Sequence, residues 1–325
     1  MFTVLFVFKE KCMRLKFAIL SSCLLSFLSS CENDKVPMKS YKTQYVFVMI
    51  MDGARYTETW GDANHTYIPR LSNEMAQYGV INTNFSNNGY THTTAGHTAI
   101  MTGHYQSINN TGGELPSYPS FMQIWRGFKS QEASNAWVIA SKDKLEVLSN
   151  TKDIRWKNKY RPSHNCGING NGSGYRDDST TAVRTMEVLQ TYSPHLMIVN
   201  FKEPDFSGHQ ANWVNYLNGI KSSDEYIYQV WSFIQSSPIY KDKTTLFVTN
   251  DHGRHPDGTA DGFVSHGDGC YGCRHIMFYA YGPDFKQNAV VSQPRELIDI
   301  NATILELLGI SGIYSDGEVM KELFQ

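Results

Sequence analysis

Two Asp-His pairs carry the chemistry of this 325-residue chain. Asp205 and His209 stand four apart in Glu203-Pro204-Asp205-Phe206-Ser207-Gly208-His209, and Asp251 and His252 are adjacent in Asp251-His252-Gly253. Each pair follows an apolar, strand-like run, Leu196 to Phe201 and Thr245 to Thr249. Carboxylates and imidazoles gathered at strand ends are what a chain needs to hold divalent metal, and a mix of Asp and His suits zinc. Asp52, at the end of the apolar run Tyr45 to Met51, adds a carboxylate, and His266 in Ser265-His266-Gly267 adds an imidazole. A two-metal site needs roughly three protein ligands per ion, with the ions about 4 Å apart. Asp52, Asp205, His209, Asp251, His252 and His266 supply that number, and a threonine oxygen can complete one ion.

Such an oxygen lies in Thr91-His92-Thr93-Thr94-Ala95-Gly96-His97-Thr98-Ala99-Ile100-Met101-Thr102-Gly103. The run places a hydroxyl at the mouth of a helix, where free backbone N–H groups and the helix dipole favour an anion. Threonine is also an ordinary helix cap, and His97 by itself reads as a packed helix histidine.

The elements that must position these residues alternate. Apolar strand-like runs cover 45–51, 80–85, 136–140, 196–201, 245–249 and 275–281, and helical patterns cover 69–78, 94–101, 121–128, 180–190, 213–234 and 296–308. Strands without a polar face, separated by helices, predict an α/β fold with a mostly parallel central sheet sandwiched by helices on both faces. Ligands of such sheets bind beyond the carboxyl ends of the strands. Asp52, Asp205 and Asp251 all fall there. Residues 150–177 are polar, show no period, and read as a surface loop or small lid.

A net charge of -2 and the lack of any Lys/Arg block give no field for nucleic acid. Met13-Arg14-Leu15-Lys16 followed by the apolar Phe17 to Leu28 reads as a signal segment. Leu28-Ser29-Ser30-Cys31 resembles a bacterial lipoprotein signal with Cys31 as the acylated residue, which makes Met13 a candidate true start. The expected division is a lipoprotein signal over 1–31, a tether over 32–43 and one catalytic domain over 44–325. The protein is then exported and lipid-anchored on the periplasmic or cell-surface side of a bacterial membrane. In an oxidising compartment Cys270-Tyr271-Gly272-Cys273 reads as a small-loop disulfide or inert thiols, with Cys166 free or buried. A structural zinc needs four ligands, and no second Cys-x-x-Cys supplies them.

Five ordered pieces together resemble the alkaline phosphatase superfamily over roughly 44–310. They are Asp52-Gly53, the Thr-x-x-x-His-x-x-x-x-Thr-Gly run, Glu-Pro-Asp-x-x-Gly-His, Asp-His-Gly and the final His266-Gly267. The pattern is nearest to the branch of nucleotide pyrophosphatases/phosphodiesterases and threonine-nucleophile phosphatases. That resemblance implies two divalent ions, zinc by the ligand mix, with Asp52, Thr93, Asp251 and His252 on one and Asp205, His209 and His266 on the other. It selects Thr93 as nucleophile, four residues before His97, and implies a phosphothreonine intermediate. Ala95 stands where many relatives carry Pro, so Thr94 stays an alternative.

The implied substrate is a small phosphorylated molecule. Ser141-Lys142-Asp143-Lys144 resembles the phosphate clamp of monoesterases in this group, and Asn109 or Asn110 matches the phosphate-binding amide. The expectation is a phosphomonoesterase, with type I phosphodiesterase or nucleotide pyrophosphatase as the alternative. Sulfatase chemistry is disfavoured: Ser117-Tyr118-Pro119-Ser120 begins like a formylglycine motif, but Phe121 occupies the Arg position. A non-catalytic metal- or glycan-binding lipoprotein is opposed by the complete ligand set. His255 has no assigned role.

Overall fold

Strand β1 (Tyr45–Met51) shows how the chain builds its sheet. From Val46 to Met51 every residue is fully buried. Val46, Val48 and Ile50 point into one core, while Phe47, Met49 and Met51 point into a second on the opposite face. A strand apolar on both faces has to sit in the middle of a covered sheet. The computed structural model describes residues 40–325. The expected signal segment, Cys31 and most of the tether lie outside the described residues.

The other strands are β2 (Gly79–Asn82), β3 (Phe85–Ser86), β4 (Ala136–Ala140), β5 (Ser163–Cys166), β6 (Leu196–Phe201), β7 (Thr244–Thr249), β8 (His275–Ile276), β9 (Phe278–Tyr281), β10 (Ala289–Val291) and β11 (Arg295–Glu296). An 8-stranded sheet runs in the order β10-β2-β9-β7-β1-β6-β4-β5, and a 3-stranded one in the order β11-β3-β8. β1 is parallel to β6 and β7, and β4 is parallel to β6 and β5. β9 is antiparallel to both β7 and β2.

Helices α1 (Thr93–Thr102), α2 (Phe121–Lys129), α3 (Asp178–Tyr192), α4 (Asp205–His209), α5 (Trp213–Ser236), α6 (Tyr271–Arg274) and α7 (Leu297–Leu307) complete the layers. α1, α2 and α7 close the first core with Ile100, Phe121 and Ile304. α3 and α5 close the second with Leu189, Ile220 and Ile227. The expected mostly parallel α/β sandwich is the observed one.

Several element assignments need correction. The stretch expected to be helical over 69–78 is a wide-turn helix, Arg70–Met75, followed by a 3-10 turn, Ala76–Tyr78. Within the segment read as a featureless loop, Ser163–Cys166 is an edge strand paired with β4. Its Ser-His-Asn-Cys sequence has no apolar alternation, so packing rather than pattern makes it a strand. The run expected as one strand over 275–281 breaks at Met277: β8 pairs with β3 in the small sheet, while β9 pairs with β7 in the large one.

Candidate active site

Four neighbouring strands deliver the site. β7, β1, β6 and β4 are adjacent, and their carboxyl ends lead into Asp251-His252, Asp52, Asp205 and Lys142. α4 begins at Asp205 and ends at His209, which puts this i, i+4 pair on one helix face. At Gly53 the backbone takes φ 67°, and a Cβ there would come within 2.8 Å of Asp205. Glycine is therefore required where β1 turns beneath the site. Gly96 has a parallel role, since a Cβ there would collide with the backbone carbonyl of Asp251. Its absence lets α1 lie directly against the second Asp-His pair.

Thr93 opens α1 and is buried, with Oγ1 3.5 Å from Asp52 Oδ1. The Lys142 ammonium donates to Asp52 Oδ1 at 2.9 Å, Asp205 Oδ2 at 2.6 Å and Thr93 Oγ1 at 3.1 Å. On the other side of the Thr93-Thr94 turn, Asn110 Oδ1 accepts from the Thr94 amide at 2.9 Å, the Thr94 hydroxyl at 3.0 Å and the Lys144 ammonium at 3.0 Å. Asn109 instead uses its Oδ1 on Thr111 at the exposed surface. Lys142 thus lies among the carboxylates, whereas Lys144 and Asn110 line the neighbouring wall. Two buried aspartates, Asp52 and Asp205, meet at the Lys142 ammonium, which supplies the countercharge.

The imidazoles are held by their backside nitrogens. His266 Nδ1 lies 2.7 Å from the Thr91 carbonyl, and His252 Nδ1 lies 2.9 Å from the Gly253 carbonyl. Both contacts fix Nδ1–H as donor and leave the Nε2 lone pair free, which is how metal-binding histidines are oriented. His266 Nε2 and His209 Nε2 are 3.0 Å apart, and they lie 3.3 and 3.4 Å from Asp205 Oδ1. Asp52, Asp205 and His252 converge as a second group. Buried His252 Nε2 and Asp251 Oδ2 have no hydrogen-bond partner among the described residues. Buried polar atoms without partners are costly, and a cation between them removes that cost. The donor set therefore fits divalent metal.

Electrostatics follow from the crowding. Burial and the charge of Asp251 raise the Asp52 carboxyl to about 7, against the pull of Lys142. Asp205 is also buried, yet Lys142 and His266 hold it well below the usual carboxylate range. Burial lowers His209 to about 4 despite Asp205, so its imidazole is neutral and able to ligate at neutral pH. Lys144 is lowered to about 8 by burial and by the neighbouring charge of Lys142.

Two positioning residues, Asn200 and Arg254, escaped sequence reasoning, while His97 is the packed helix histidine expected. Asn200, inside the otherwise apolar β6, donates from Nδ2 to Asp52 Oδ2 at 2.8 Å and to His97 Nε2 at 3.1 Å. His97 Nδ1 lies 2.8 Å from the Thr93 carbonyl, so both ring nitrogens are used in holding the turn and neither is left for a ligand. Arg254 is fully buried and pairs with Asp205 Oδ1. An amide within a buried strand and an arginine directly after Asp-His-Gly were the available signals. Of the two states expected for Cys270 and Cys273, the thiol is the one observed: Cys166, Cys270 and Cys273 are all thiols. Burial raises Cys166 and Cys273 to about 12, which makes them inert as nucleophiles.

A parallel sheet that gathers Asp, His and Thr at its carboxyl edge defines a metal-dependent enzyme. The chain belongs to the metalloenzyme superfamily, whose family model matches residues 44–312. Its fold is similar to that of a protein in the alkaline phosphatase superfamily from Vibrio parahaemolyticus, with TM-score 0.62, 17% identity, and coverage of 89% of this chain and 72% of that one. It is also similar to murine ectonucleotide pyrophosphatase/phosphodiesterase 5, with TM-score 0.60, 15% identity, and coverage of 87% and 100%. A phosphopentomutase from Clostridium novyi (strain NT) is 26% identical over 149 residues. Those residues are 46% of this chain and 35% of that protein, so the chain spans about a third of the length of this curated relative.

Proposed function

We propose that this chain is a two-metal phosphoric ester hydrolase whose nucleophile is Thr93. The observation that carries the reading is the position of Thr93 Oγ1, which sits at the first residue of α1, 3.1 Å from the Lys142 ammonium and 3.5 Å from Asp52 Oδ1. Asp52, Thr93, Asp251 and His252 would hold one ion, and Asp205, His209 and His266 the other, with zinc the best match to three imidazoles. When bound, the ions supply Lewis acidity, which lowers the pKa of a hydroxyl and offsets charge on phosphoryl oxygens.

The residues of the chain do the rest. Lys142 stabilises the Thr93 alkoxide by donating to Oγ1. Thr93 gives its hydroxyl proton to solvent, and Oγ1 attacks phosphorus in line as the P–O bond to the leaving group breaks opposite to it; water then attacks the phosphothreonine phosphorus, releasing phosphate or its monoester and returning a proton to Thr93 Oγ1. Lys144 and the amide NH2 of Asn110, whose carbonyl oxygen is already used, bind the phosphoryl oxygens. His97 and Asn200 hold the Thr93 turn and Asp52 in place throughout.

The diester class is the leading substrate reading, ahead of the monoester expected from the sequence. Lys142 is committed to Asp52 and Asp205, which leaves Lys144, whose ammonium donates to the neutral Asn110 amide, as the cation of the wall with no carboxylate partner among the described residues, and this suits a single negative charge. The likeness to a pyrophosphatase/phosphodiesterase, over 87% of this chain and 100% of that one, supports the same direction. The monoester reading keeps one observation in its favour. The two ammonium groups of Lys142 and Lys144 lie 5.8 and 6.0 Å from the Tyr175 ring, so both charges face one wall. The ratio of kcat/KM for bis-p-nitrophenyl phosphate to that for p-nitrophenyl phosphate, on zinc-loaded protein, tests the order. A ratio well below one reverses it.

The division into a lipoprotein signal, tether and catalytic domain, and the placement on the outer side of a bacterial membrane, belong to the same proposal. They are supported by the sequence around Cys31. Metabolic labelling with a fatty-acid analogue tests the anchor, and label retained by Cys31→Ala removes it.

A further inference from the structure

Beyond the catalytic edge, the loop between β7 and β8 folds back on itself and gathers His255, Asp268, Cys270 and Cys273. One donor atom from each lies within 4.8 Å of all the others. We propose that this tetrad is a separate structural metal site of the zinc type, with two thiolates, one imidazole and one carboxylate as ligands.

His255 gives the strongest indication. It is more than nine-tenths buried, its Nδ1 lies 2.8 Å from Asp261 Oδ1, and its Nε2 has no hydrogen-bond partner among the described residues. The Asp261 carboxylate fixes the proton on Nδ1 and turns the Nε2 lone pair into the tetrad, 3.2 Å from Asp268 Oδ2. A carboxylate behind a histidine is the usual support of a metal-binding imidazole. Asp268 is prepared in a similar way: Oδ1 accepts the Cys270 amide at 3.0 Å, which leaves Oδ2 facing His255. Cys273 is fully buried and Cys270 partly so, three residues apart across α6.

Tetrahedral zinc with bonds of about 2.0–2.3 Å sets its ligands roughly 3.3–3.8 Å apart, so only a small inward movement closes the tetrad. The absence of a second Cys-x-x-Cys argued against zinc from sequence. The fold supplies the two missing ligands from elsewhere in the loop.

The site would act as a staple. Gly253 donates its amide to the Cys273 carbonyl at 2.8 Å, and His255 donates its amide to the Ser265 carbonyl at 3.2 Å. The loop so pinned carries His266 into the catalytic edge, so metal at the tetrad would order a segment on which that edge depends. Loop closure by a metal clip stabilises in this manner.

Cobalt separates this site from the catalytic one, which contains no sulfur. Full-length reduced protein loaded anaerobically with cobalt(II) is expected to show a thiolate-to-cobalt charge-transfer band. Its intensity should halve in Cys270→Ser or Cys273→Ser and vanish in the double variant. On the unmutated chain, which avoids any folding defect, metal should slow alkylation of Cys270 at least tenfold. Absence of the band, alkylation unaffected by metal, or a Cys270–Cys273 disulfide in the isolated protein would each overturn the proposal.

Discussion

The Lys142 ammonium nitrogen lies 2.6 Å from Asp205 Oδ2, with 1% of the lysine exposed. This lysine, from the end of β4, balances carboxylates contributed by β1 and by the start of α4. Removing one partner of a buried ion pair leaves an uncompensated charge and costs about 3–5 kcal/mol. Lys142→Met should lose about that much stability in EDTA and regain most of it with zinc, because metal replaces the missing charge. Urea unfolding in both conditions checks this. An equal loss with and without metal would mean that no ion enters among these carboxylates.

Asn200 holds Asp52 and His97 simultaneously through one amide group. Such outer partners typically account for about 10–100-fold in metal affinity or activity. Asn200→Ala should weaken zinc binding within that range, measured by competition with a chelating dye, while global unfolding changes much less. An unchanged zinc affinity would reduce Asn200 to a packing residue.

Lys144 provides a pH signature. Burial and Lys142 bring its ammonium to about 8. Below that pH the group is charged and binds an anionic ester; above it the charge is lost. KM should therefore rise as pH passes through about 8, with kcat affected less. Lys144→Arg should flatten the rise, since guanidinium stays charged. The KM profile of both proteins from neutral to alkaline pH decides this, and identical profiles would exclude Lys144 from substrate binding.

Gly96 couples α1 to Asp251. Gly96→Ala inserts a methyl group against the Asp251 carbonyl and should cost about 1–3 kcal/mol through overpacking. Because α1 carries Thr93, activity should fall far more than stability does. Thermal unfolding and kcat on the same samples test the pairing, and full activity would show that α1 moves freely of the metal edge.

The candidate metal donors were legible because they are local. Asp205 and His209 share one helical turn, Asp251 and His252 are adjacent, and apolar runs mark the strand ends that converge. What escaped depends on contacts between distant segments. Asn200 looks like a flaw in an apolar strand until His97 is placed beside it. Nothing in Ser141-Lys142-Asp143-Lys144 says that the first lysine turns toward aspartates and the second toward Asn110. β5 carries no alternating pattern, and the split at Met277 arises because β8 and β9 join different sheets. The tetrad around His255 was missed for the same reason, since Cys-x-x-Cys was visible but its partners were not.

The central claim is that Thr93 attacks phosphorus. Acid-quenching zinc-loaded protein during turnover of bis-p-nitrophenyl phosphate, followed by peptide mass spectrometry, tests it most directly. A phosphoryl group on Thr93, accumulating in wild type and absent from an inactive Thr93→Ala variant, is the expected result. Phosphorylation of Thr94 instead, or full turnover by Thr93→Ala, would contradict it.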